Sequence, residues 1–104
     1  MNVKTILIVE ANQQLRAFLF NTFSAEGYTV LAADNETEAI DLILGLASAN
    51  PVDYILYGLG TEHQTHYTSI ILKKLCLMKF GQAPKQLSFI DQLSYSHRQE
   101  KQVI

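Results

Sequence analysis

The stretch Thr5-Ile6-Leu7-Ile8-Val9-Glu10-Ala11-Asn12 sets the frame for the whole chain. Its first five residues are β-branched or aliphatic with almost no alternation, so a strand built from them is apolar on both faces. Such a strand belongs in the middle of a parallel sheet, with helices covering it on either side. The run ends at Glu10, and from Asn12 the period changes. Leu15, Phe18, Leu19, Thr22 and Phe23 recur at three- and four-residue spacing, the stripe of an amphipathic helix. Asn12 is expected as its N-cap, and Gly27 lies where a helix C-terminus favours positive φ.

Downstream the same alternation repeats. Residues 28–33 read as a second strand. Asn35 and Glu38 have capping-box spacing and open a helix whose buried stripe is expected to be Ala39, Ile40, Ile43 and Ala47. Ser48-Ala49-Asn50-Pro51 is expected to stop it, because the residue before proline is pushed out of the α region. Residues 52–57 read as a third strand, and 58–65 as a polar loop. Tyr67, Ile70, Ile71, Leu75 and Met78 form a third helical stripe ended by Gly81. Residues 86–90 are predicted as a weaker fourth strand and 92–102 as a poorly patterned helix. This order predicts a single α/β domain over 1–104, built on a doubly wound parallel sheet of about four strands, with 85–104 its least patterned part. In such sheets function lies beyond the carboxyl ends of the strands. That directs attention to Glu10, Ala11 and Asn12, and to Tyr57-Gly58-Leu59-Gly60.

Composition narrows the function classes. The 104 residues are 48% hydrophobic and 17% charged, which suits a folded globular domain and excludes wholesale disorder. Eight basic and ten acidic side chains give a net charge of -2, with no cationic excess to neutralise phosphates, so nucleic acid is not expected as a partner of this chain alone. No apolar run is long enough to span a bilayer, and the start is too soon charged for a signal peptide. One cysteine makes no internal disulfide, and a reduced, cytoplasmic setting is expected.

Four segments in order resemble one family. They are residues 4–10, then Glu26-Gly27-Tyr28-Thr29-Val30, then residues 32–40, then Pro51-Val52-Asp53-Tyr54-Ile55-Leu56-Tyr57. Together they are similar to the receiver domain of bacterial two-component response regulators, a flavodoxin-like or CheY-like fold, over the first 60 residues or so. The resemblance implies a defined chemistry. A magnesium ion sits between two adjacent acids ending the first strand and an aspartate ending the third. That aspartate takes a phosphoryl group, and a hydroxyl residue and a lysine from the last two strands sense it.

This chain departs from that pattern at the decisive positions. The acid pair is reduced to Glu10-Ala11, followed by Asn12, a remnant acidic pocket. The phosphoacceptor position, five residues beyond Asp53, is Gly58, which has no side chain and is expected to leave space in the cleft. Near the hydroxyl position stand only Ser88 and Asp91, neither in convincing register, and the fifth strand with its lysine has no room. The resemblance therefore implies a degenerate receiver whose C-terminal strand-helix unit is missing or rearranged.

Other chemistry-bearing residues carry less. Asp53 opens its strand, far from the carboxyl edge, and a surface or capping role is expected. Tyr57 should point to the opposite face from Gly58 and pack between sheet and helix. Glu62, His63 and His66 are too few for a complete zinc site, and His97 stands alone. Cys76 is expected to be a buried structural thiol, and Lys73-Lys74 a solvated helix face. Gly58 and Gly60 alone are not a dinucleotide fingerprint.

The resulting expectation is a phosphorylation-independent pseudo-receiver, not an enzyme, without cofactor or bound metal, acting as a protein-protein interaction module in bacterial signal transduction. The interaction surface is expected at the C-terminal sheet edge, on Gln86, Leu87, Phe89, Ile90, Leu93 and Tyr95, meeting a partner protein or a second copy. The alternatives are phosphoryl transfer displaced onto Glu10 or Asp53, and a small-molecule or anion site in the cleft of Glu10, Gly58 and Gly60.

Overall fold

In a computed structural model that describes residues 3–58 and 65–88, the central strand is β1 (Thr5–Val9), as its apolar faces require. Helix α1 (Gln13–Ala25) leads to β2 (Thr29–Ala33), α2 (Glu36–Gly45) to β3 (Tyr54–Tyr57), and α3 (Thr65–Phe80) to β4 (Lys85–Ser88). All four strands are parallel, in the order β2-β1-β3-β4. That order is compatible with a flavodoxin-like sheet. β1 pairs with β2 from Thr5 opposite Thr29 to Val9 opposite Ala33, and with β3 from Ile6 opposite Tyr54 to Val9 opposite Tyr57.

Alternation along the strands divides the core into two layers. Ile6, Ile8 and Leu56 pack with Leu19 and Phe23 of α1 on one face. Leu7, Val9, Ile55 and Tyr57 pack on the other with Ala39 and Ile43 of α2 and Leu72 and Cys76 of α3. Each fully buried Leu or Ile contributes about 1.5–3 kcal/mol. That exceeds the propensity differences of a few tenths of a kcal/mol among ordinary helix residues, so burial decides which faces turn inward.

The caps form where the sequence places them. Asn12 Oδ1 accepts from the Leu15 N–H at 2.9 Å, and Asn35 Oδ1 from the Glu38 N–H at 2.9 Å. Gly27 and Gly81 close α1 and α3 with φ of 96° and 78°, values an L side chain resists. Tyr28 precedes β2 instead of opening it, and its ring stands edge-on to both Phe23 and Tyr54.

Four expectations are corrected. Phe18, placed in the α1 stripe, is 58% exposed, because Leu19 and Phe23 take the sheet-facing line. Helix α2 ends at Gly45, not at the Ser48–Pro51 stop: Leu46 turns extended (ψ 148°) and packs on the core, leaving Ala47 outside the helix and exposed. The α3 stripe is rotated. Leu72 and Cys76 are fully buried, whereas Ile70, Ile71 and Met78 are exposed, Met78 at 84%. A helix apolar nearly all round offers several equivalent stripes, and periodicity cannot choose among them. Finally, β4 begins at Lys85, one residue early, and the predicted residues 89–90 and helix 92–102 lie outside the described residues.

Candidate functional site

The carboxyl ends of β1 and β3 lie side by side, joined by the Gly58 N–H donating to the Val9 carbonyl at 3.0 Å. On the other flank the Glu10 N–H donates to the Ala33 carbonyl at 2.9 Å, which seats Glu10 between the ends of β2 and β3. There its side chain turns inward and is 0% exposed. Oε2 accepts from the Asn12 N–H at 2.9 Å, while Oε1 is buried and finds no hydrogen-bond partner among the described residues.

The position of that carboxyl explains Gly58. The Gly58 backbone does not have positive φ, so its conformation alone does not call for glycine. A Cβ built on it, however, would lie 2.9 Å from Glu10 Cγ and inside the contact surface of the carboxyl carbon and Oε1. The expected vacancy is therefore filled: Glu10 reaches across from β1 into the space a side chain at 58 would use. The extra methylene that distinguishes glutamate from aspartate provides this reach.

The remaining expected residues separate. Ala11 is exposed and has no polar side-chain atom, and Asn12 is committed to capping α1. Arg16, which the sequence reading missed, organises the same turn: Nη1 donates to the Glu10 carbonyl at 2.8 Å and the Ala11 carbonyl at 3.4 Å. Its only sequence signal is its place one helical turn beyond the cap. Asp34, read as part of a helix opening, follows the end of β2 and keeps Oδ1 buried without a partner among the described residues.

Asp53 lies at the opposite end of the sheet, where Oδ2 accepts from the Thr5 N–H at 2.8 Å, the capping role expected of it. Tyr57 is buried in the α2–α3 layer, turned away from the Gly58 side. Cys76 is buried, and burial pushes its thiol up to about 11, far from a nucleophile's range. Among the described residues no group of three His, Cys, Asp or Glu side chains gathers to hold a metal ion. Gly60, Glu62, His63, Asp91, Phe89, Ile90, Leu93, Tyr95 and His97 lie outside the described residues. Gln86 is exposed and Leu87 half-buried on β4, the edge of the described sheet.

Among the described residues, the fold and this site define an α/β protein with a four-stranded parallel sheet, three helices, and the Glu10 carboxyl seated against Gly58 at the carboxyl ends of β1 and β3. No protein-family model matches the chain, and comparison with curated proteins and with solved structures gives no match either. Among the described residues no helix is long and apolar enough to cross a membrane.

Proposed function

We propose that this chain is a pseudo-receiver, a CheY-like domain that works in bacterial signal transduction by binding protein and not by accepting phosphate. The observation that carries this reading is the Glu10 carboxyl lying over Gly58. In-line phosphoryl transfer needs an exposed carboxylate with an open approach. Residue 58 supplies no carboxylate, and Glu10, the nearest one, is wholly buried.

The same geometry weighs against the other readings. Asp53 is at the wrong end of the sheet and holds the Thr5 N–H. An anion at Gly58 would meet the carboxylate oxygen of Glu10. A cavity of about 700 Å³ opens at the amino ends of the strands, beside Lys4, Thr29 and Asn50. What remains for function is surface, and β4, at the edge of the described sheet, suits a partner strand or loop.

The test is incubation with a small acyl-phosphate donor and magnesium, followed by intact-mass measurement. The unmodified mass is expected throughout. A stable or hydrolysable phosphoryl adduct on any aspartate or glutamate would overturn the reading.

A further inference from the structure

The outer faces of α2 and α3 carry complementary chemistry that the reading above does not use. On α3, Ile70, Ile71, Lys74, Leu77 and Met78 follow one another at spacings that keep them on the side away from Leu72 and Cys76, and all five are exposed. The result is an apolar strip with one cation at its centre. On α2 the side away from Ala39 and Ile43 presents Glu38, Asp41 and Leu44, all exposed. Helix α2 has three acids and no base, and α3 three lysines and no acid. The two helices pack side by side on one face of the sheet, and Lys79 Nζ donates to the Leu44 carbonyl, fixing the end of one to the end of the other.

We propose that this α2–α3 face binds a second copy of the chain about a two-fold axis. The sheet is parallel, so both helices run from the carboxyl to the amino ends of the strands. A two-fold axis running along them, between the two facing layers, lays α2 of one protomer on α3 of the other, both pointing the same way. Asp41 and Lys74 are each near the middle of their helix, so this superposition brings Asp41 of one protomer to Lys74 of the partner subunit, twice over. The strip of Ile70, Ile71, Leu77 and Met78 then lies against Leu44 of the partner subunit and, diagonally across the axis, approaches its own counterpart. Self-complementarity of this kind is what a two-fold interface demands. Charge pairs at its centre set register more than affinity, while the apolar strip supplies the burial. The inference does not rest on the receiver reading, because the two helix faces exist whatever the carboxyl-end site does.

Sedimentation and light scattering of the full chain test it, with single and paired charge reversals. Wild type is expected at the mass of two chains, and Lys74→Glu and Asp41→Lys each at that of one, 11.7 kDa. Met78→Glu should dissociate the dimer as well. An equimolar mixture of the two single reversals should recover the dimer, since each mixed contact again joins opposite charges. These positions are exposed, and unchanged circular dichroism will show that the variants fold. A monomeric wild type, with the α3 strip covered by residues 89–104 of its own chain or left bare, overturns the proposal. So does a dimer indifferent to both reversals, or a mixture that stays monomeric. Failure here leaves the phosphodonor result untouched, so the two readings fall separately.

Discussion

The Glu10 carboxyl and the Gly58 α-carbon share one volume: the side chain of the first occupies the place where a side chain on the second would start. The two positions form a compensated pair, in which the side chain that glycine lacks just beyond β3 is matched by a long one just beyond β1.

Substitution at either position should therefore depend on the other. Gly58→Ala is expected to cost about 1–3 kcal/mol, because the carboxyl must leave its place and release the Asn12 N–H. In a Glu10→Ala background the same change should cost less than about 0.5 kcal/mol, giving a coupling energy above about 1 kcal/mol. Urea unfolding of the four proteins measures it. Additivity would mean that the two residues do not compete for space.

Glu10 Oε1, without a partner among the described residues, leads to a second expectation. Glu10→Gln keeps the shape and the acceptor for the Asn12 N–H but replaces a buried acid by a neutral amide, which costs less to desolvate. The variant is expected to be more stable than wild type by about 1 kcal/mol with an unchanged urea dependence. Destabilisation of that size would show that both carboxyl oxygens are in use.

At the other end of the sheet, Asp53→Ala should cost about 1–2 kcal/mol by leaving the Thr5 N–H half-buried and unbonded. Asp53→Asn retains an acceptor and should recover most of that loss in thermal unfolding. Equal losses in the two variants would show that charge, not the hydrogen bond, matters there.

Cys76 makes stability fall at alkaline pH. Its folded thiol is raised to about 11 from an ordinary 9.0 by burial, so the unfolded chain releases the proton first as pH rises. Between those values the unfolded state binds fewer protons, and stability decreases by on the order of 2 kcal/mol. The contribution is fully present below pH 9. Comparing Cys76→Ala with wild type across pH 8 to 11 checks it: the variant should lose less stability over that window. Parallel slopes would refute the assignment.

Much of this molecule was legible in the chain. Uninterrupted aliphatic residues from Thr5 to Val9 specify a strand covered on both faces, and the caps at Asn12 and Asn35 and the stops at Gly27 and Gly81 act through local backbone chemistry. Local signals of that kind need no knowledge of neighbours. The α2 terminus was misplaced because Leu46 leaves the helix to reach the core before proline can act, a gain that appears only once the sheet is in place.

Sequence by itself determined the order of elements, the parallel sheet and the absence of a carboxylate at residue 58. Tertiary structure alone decided which side of α3 turns inward and what stands in the place of the missing side chain. The reason is physical in both cases. A helix apolar on most sides is oriented by the surface it meets, and the volume beside Gly58 is filled by a residue 48 positions away, which only folding brings across from β1.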